Sequence, residues 1–294
     1  MSPWSLPTYT GASPQGWHSP RINTMMYSAT GDRQGAYRLW IQLCMLYSGT
    51  RVTKSTDRLV AISGVAAALG PFILDKYIVG LWENTFILGM AWYAKFPAKK
   101  PRSVRIPSFS WLSLETEIGW WAVRYYYFPY TNLESLVEYS VYSSGQTSDM
   151  YTNEQTGSFI MLKGSMIRAF VGPEMEGFGH INSIRLRYRL PSGEMHHTGQ
   201  GRVSLDTVPQ AIEGVEGRDR SFLQMPEIFC LPLFKYNCTE IEGIVVERVE
   251  EKDNSIYRRK GWFSVSETED RSFLQPDEYL PVEDFQRNVE ISLV

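Results

Sequence analysis

The sequence predicts an α+β protein, an N-terminal helical unit followed by a mainly antiparallel β-domain built as a sandwich or open barrel. Three observations carry that expectation. Apolar residues cover nearly every face of Tyr37 to Tyr47 (YRLWIQLCMLY), the signature of a helix enclosed on most sides. A second apolar stretch follows a polar turn, as the next helix of a packed pair would. Beyond Leu114 the pattern changes to short apolar or alternating runs broken by Gly, Pro and Asn, which is how antiparallel strands are punctuated.

Taken in order, residues 1–36 are rich in Pro, Ser, Gly and Thr without sustained periodicity and read as an irregular lead-in of the kind a truncation scar leaves. Residues 37–114 form the helical unit and 115–294 the β-domain. After the first helix, SGTRVTKST ends near Asp57, where Ser55, Thr56 or Asp57 can cap a second helix by accepting orphan backbone N–H bonds. That helix is expected to run to about Leu69, with Pro71 as its stop. Asp75 to Phe96 reads as a third helix, with Leu81, Leu88 and Trp92 at helical spacing and Gly80 and Gly89 permitting close approach. Pro97, Pro101 and Pro107 then favour an extended segment crossing the surface of the helical unit, at the domain junction. Candidate strands are Leu136 to Tyr142, Gly157 to Phe170, Ser183 to Leu190, Glu227 to Leu233, Glu242 to Val249 and Ile256 to Ser266. The last two make the clearest hairpin, with Lys252 to Ser255 as its turn and Val245, Tyr257, Trp262 and Val265 directed to the core.

Bulk properties exclude more than they name. Twenty-nine Lys and Arg against 32 Asp and Glu leave no uniform field for nucleic acid or an anionic membrane. The basic stretches KFPAKKPRSVR and YRRK have acidic neighbours and no recognition motif, so they read as solvated faces. Three cysteines, Cys44, Cys230 and Cys238, do not make a disulfide framework and suit a reducing cytoplasmic setting. The N-terminus has no secretory pattern, and Leu59 to Leu74 falls short of the roughly 20 residues a membrane span needs.

Candidate chemistry is sparse. His196 and His197 are adjacent in PSGEMHHTG and read as a solvent-exposed loop; Cys230 and Cys44 read as small buried apolar residues. There is no GxSxG, P-loop or HExxH, and EGFGH at Glu176 to His180 is explained by loop glycines. Asp57 and Arg58 either contact a ligand or a missing module or, as their place before an apolar run favours, supply a helix cap plus an ion pair. Trp82, Trp92 and Trp111 are either an aromatic cage or core, and their apolar surroundings favour core. A hydrolase site assembled in space around His180, His196 and Asp206 is the alternative enzymatic reading.

Four separated blocks carry a joint resemblance. LYSGTRVTKSTDRLVAISGVA contains Tyr47, Ser48, Thr53, Asp57, Arg58, Leu59, Ala61, Ser63 and Gly64, and YIVGLWENTFILGMAWY contains Tyr77, Gly80, Leu81, Trp82 and Trp92. RIPSFSWLS supplies Pro107, Ser108, Ser110, Trp111 and Ser113, and FCLPL with GIVVERV and YRRKGWF closes the set. Together they resemble the region downstream of the signature in fungal heterokaryon-incompatibility (HET) proteins, over about residues 37–266. Phe109, Ile106 and Leu112 depart from the family pattern in the third block, so packing there must differ. The N-terminal signature module, with its distant similarity to TIR domains, has no counterpart before Tyr37. The resemblance implies a role in allorecognition and programmed cell death, and the lack of a polar catalytic cluster points to a non-enzymatic structural and interaction module, with no catalytic residues, cofactor or metal expected. Its partner would be another protein or the HET module itself. A face normally covered by that module is expected to expose apolar surface around the Tyr37 to Tyr47 helix.

Overall fold

The computed structural model of the 294-residue chain describes residues 33–50, 57–98, 106–121, 133–142, 159–171, 186–189, 195–197, 202–207, 228–236, 240–249, 255–266 and 285–294. It is α+β, with helices first and a large, mainly antiparallel sheet after them. Among the described residues no helix is long and apolar enough to cross a membrane.

Helix α1 (Arg33–Ser48) buries Ala36, Tyr37, Leu39, Trp40, Leu43, Cys44 and Tyr47, a run spaced at three and four residues. Leu46 is its one large apolar side chain left exposed, so the apolar surface expected around this helix is not found there. Helix α2 (Asp57–Ile73) packs on α1 through Leu59, Ile62, Ala66, Leu69 and Ile73. It runs through Pro71 rather than stopping before it. Ala67, the residue four positions back whose carbonyl Pro71 cannot bond, lies with Pro71 on the exposed side of the helix. The helix closes at Leu74, whose N–H bonds to the Gly70 carbonyl at 2.8 Å and whose φ of 52° is the left-handed turn usually given to glycine.

The third helix expected over Asp75 to Phe96 is absent. Strands β1 (Tyr77–Ile78) and β2 (Leu81–Trp82) form a two-residue hairpin instead, followed by a 3-10 turn at Glu83–Thr85, a short helix α3 (Phe86–Met90) and strand β3 (Trp92–Ala94). Val79 and Gly80 both have positive φ, 41° and 88°, which a type I′ hairpin turn demands. Asp75 holds the base of this hairpin by accepting from the Lys76 N–H, from Asn84 and from the Tyr37 hydroxyl. These local bonds, and burial of all four strand residues, override the helical spacing.

The segment around Pro107 also differs from expectation. It does not cross the surface: Pro107 to Leu114 are all buried, wedged between the helices and the sheet. Strand β4 (Ile118–Trp120) then pairs with β3. The main sheet contains β5 (Leu133–Ser135), β6 (Glu138–Tyr142), β7 (Phe159–Val171), β8 (Leu186–Arg189), β9 (Met195–His197), β10 (Arg202–Leu205), β11 (Ile228–Tyr236), β12 (Glu240–Arg248), β13 (Ile256–Ser266) and β14 (Phe285–Leu293). Strands β11, β12, β13, β14 and β7 are neighbours in that order, and β7 pairs again with β11 through Ile167, Arg168 and Ala169. This joins the run into a closed ring of five strands. Only β13 with β14 is parallel, at Ile256 and Tyr257.

Alternation along these strands sends side chains to two cores. Ile228 and Cys230, Ile241 and Val245, Phe263 and Val265 meet Ile167 and Val203 in a smaller cluster within the sheet. Phe229, Leu231, Ile244, Val246, Tyr257, Trp262 and Leu293 face the other way and join the helices in one continuous core. Val245, Tyr257, Trp262 and Val265 are buried as the hairpin reading requires; its turn at 252–255 lies outside the described residues except Ser255. His196 and His197 belong to a strand, paired opposite Tyr188 and Arg187, rather than to a loop.

Candidate functional site

Two buried arginines organise the junction between helices and sheet. Arg58 starts α2 and turns inward, donating to the Leu114 carbonyl at 2.6 Å and to the Ser48 carbonyl at 3.4 Å. Its guanidinium lies 6.0 Å from the centre of the Tyr47 ring and 5.7 Å from that of Trp111, and those two rings meet edge to face at 6.4 Å. The Tyr47 hydroxyl donates to the Arg58 carbonyl at 3.1 Å. Ser48 donates to the Met45 carbonyl and accepts from Ile118 N–H at 3.0 Å, so the end of α1 is fixed to the start of β4. Burial lowers the Arg58 pKa, opposed by Tyr47 and Glu115, and burial raises that of Tyr47.

Arg259 forms the second node. It is fully buried on β13, with Nε 3.1 Å from one Asp206 oxygen and Nη2 3.3 Å from the other. Its remaining donors bond the Met90 and Trp92 carbonyls, and the guanidinium sits 3.5 Å over the Trp92 ring. Asp206 is equally buried and is itself placed by its backbone, which bonds Ala98 and Lys260. The YRRK stretch is therefore no uniform solvated face: Arg258 is exposed, but Arg259 is the most deeply placed cation described.

The Pro107 to Ser113 segment connects both nodes. Ser108 accepts from the Arg259 N–H at 2.9 Å, and the Ser108 N–H bonds the Val294 carbonyl at 3.0 Å. Trp92 Nε1 donates to the Phe109 carbonyl at 2.9 Å. Ser110 donates to the Val79 carbonyl and accepts from Leu112 N–H, while Trp111 Nε1 donates to the Gly80 carbonyl at 3.0 Å. A methyl group on Gly80 would lie 2.9 Å from that indole nitrogen, so only glycine admits this contact.

The structure thus brings together Tyr47, Ser48, Arg58, Gly80 and Trp111, with Pro107 buried beside them. Trp82 lies apart, edge to face with Trp40 and Tyr77 at 5.5 Å and 5.4 Å. Asp57 stays exposed in the first turn of α2, where an acid suits the helix N-terminus. Gly64 faces outward with open space beyond it. The three tryptophans are packed into core and do not surround a common opening. Of the hydrolase set, Asp206 is engaged by Arg259, His196 sits on β9, and His180 lies outside the described residues.

Among the described residues no three His, Cys, Asp or Glu side chains gather as metal ligands. Cys44 and Cys230 are buried, and burial pushes both thiols well above the usual range, away from the reactive thiolate. An open depression of about 760 Å³ at the C-terminal end of α2 is lined by Ala67, Gly70, Pro71, Leu74 and Trp82, with Asp75, Lys76, Glu83 and Asn84 at its polar side. No family model, curated protein or solved structure matches the chain.

Arg259 was not legible as a core residue beforehand, because its partner Asp206 lies 53 positions away. The one available signal is its alternation with Tyr257, which puts both on the inward face.

Proposed function

We propose that this chain is a non-enzymatic structural and interaction region of a fungal heterokaryon-incompatibility-type protein, acting in allorecognition and programmed cell death. One observation supports the reading best. Residues taken from separate blocks of the family-like pattern, Tyr47, Ser48, Arg58, Gly80 and Trp111, meet in one buried network whose bonds run mainly to backbone carbonyls. Side chains used in that way assemble a scaffold. All five are buried and present no reactive group to solvent.

In this reading the chain works in the cytoplasm without a cofactor, and its partner is a protein, foremost a HET signature module supplied from elsewhere in the sequence or by another chain. The test has two arms. Purified residues 1–294 are incubated with NAD and nucleoside triphosphates and the products separated by chromatography; no turnover above buffer is expected, and turnover overturns the non-enzymatic reading. A separately expressed HET module is titrated against the chain by calorimetry. Saturable binding supports the partner assignment, and its absence at the highest soluble concentration removes it.

A further inference from the structure

Helix α2 divides sharply into two faces. Arg58, Leu59, Ile62, Ser63, Ala66, Leu69 and Ile73 point into the core. The opposite side exposes Val60, Gly64, Ala67, Pro71 and Leu74, spaced by four, three, four and three residues, the period of a seam that packs on another helix. Val60 is 50% exposed, Phe72 40% and Leu74 74%, and no polar side chain is exposed on α2 between Val60 and Phe72. Charge returns only at the two ends, with Asp57 at the beginning and Lys76 just beyond the end, both exposed.

From this we infer that α2 is a self-association surface, on which a second copy of the chain lays its own α2 antiparallel across a twofold axis near Ala67. Antiparallel pairing about Ala67 sets Gly64 and Gly70 where the partner helix approaches most closely, and both have open space where a side chain would be. It opposes Val60 with the partner's Leu74. It also brings Asp57 beside the partner's Lys76 at each end of the seam, a complementarity that a parallel pair would replace with like charges. Lys76 is free to make that contact: its present ion pair, to Glu83, is a loose 3.6 Å contact between side chains that are each about two-fifths exposed. Neighbouring Asp75 is directed to Tyr37 and Asn84 and does not compete for it. The helix face itself carries no charge between Val60 and Leu74, and the groups that border it near Pro71 and Leu74 include both signs, Lys76 and Glu83. A seam one helix wide is smaller than a standard stable interface, so association is weak, with a dissociation constant of roughly 10–100 μM.

The test is sedimentation velocity of the full chain over a concentration range spanning that value. A monomer–dimer equilibrium is expected, abolished by Gly64→Glu and Ala67→Glu, which add charge to the seam at exposed helical positions. Thermal unfolding reports that these variants remain folded. Ala67→Cys in a chain lacking Cys238 is expected to cross-link to itself under mild oxidation, whereas Val60→Cys is not. Asp57→Lys weakens the dimer and Asp57→Lys with Lys76→Asp restores it. A chain that stays monomeric throughout the range, a dimer indifferent to Gly64→Glu, or Val60→Cys cross-linking in place of Ala67→Cys overturns the inference.

Discussion

Removing the Asp206 carboxylate is the sharpest way to ask whether the junction is built as described. Asp206 and Arg259 are 1% and 0% exposed, with two nitrogen–oxygen contacts at 3.1 Å and 3.3 Å. In Asp206→Asn the guanidinium keeps the Met90 and Trp92 carbonyls and the Trp92 ring, but it loses the buried carboxylate that it meets through Nε and Nη2. Breaking one side of such a pair costs about 3–5 kcal/mol. Arg259→Met strands the carboxylate and orphans two carbonyls as well, so it is expected at or above the upper end of that range. The double variant Asp206→Leu with Arg259→Met removes both charges of this pair and should be less damaging than the sum of the singles, with a coupling of about 1–3 kcal/mol. Urea unfolding followed by tryptophan fluorescence measures this. For an m-value near 3 kcal/mol/M, the single carboxylate variant lowers the midpoint by about 1–1.7 M. A shift below about 0.3 M, or singles that simply add, would refute the claim that these two side chains compensate each other in the core.

Three further predictions follow from other sites. Burial, with the hydrogen bond to Asp75, pushes the Tyr37 hydroxyl up to about 12, so the folded state holds this proton where the unfolded chain releases it near 10. Its stabilising contribution is complete below pH 10 and disappears as pH rises towards 12; Tyr37→Phe should remove that part of the alkaline loss of thermal stability. Gly80→Ala adds a methyl group 2.9 Å from Trp111 Nε1 at a φ of 88°, and is expected to cost about 1–3 kcal/mol in the same urea assay. In a chain lacking Cys238, a thiol reagent should find Cys44 and Cys230 unreactive until the protein unfolds, because both are completely buried. Rapid native labelling of either would contradict their place in the core.

Much of the architecture was legible because it rests on local pattern. The first two helices and the strands β7, β11, β12 and β13 fall close to where periodicity and turn residues put them. The error at Asp75 to Phe96 is instructive: apolar spacing of seven and four suits a helix, yet a Val-Gly turn with two positive φ angles and an Asp75 clasp made strands instead. Strand β14 went unread although Val289, Ile291 and Leu293 alternate with polar residues; the run is short, and the bulge at Asn288, φ 52°, breaks the pattern before it. The contacts that join Tyr47, Ser48, Arg58, Gly80 and Trp111 were invisible in the sequence. Arg58 reaches Leu114 across 56 positions and Trp111 reaches Gly80 across 31, distances over which sequence carries no contact signal. The Asp57 and Arg58 pair was read as cap and ion pair, whereas the guanidinium turns inward to backbone carbonyls.

The closed ring of strands sets a schedule for biosynthesis. Strand β7 finishes at Val171, but its partner β14 begins only at Phe285. At ordinary elongation rates the ribosome needs roughly 5–25 s to deliver the closing strand. For that interval the edge of β7 that β14 will cover stands open on the nascent chain, joined after Ser266 by that of β13, which is when chaperone engagement is most needed and when misfolding mutations in β14 would act.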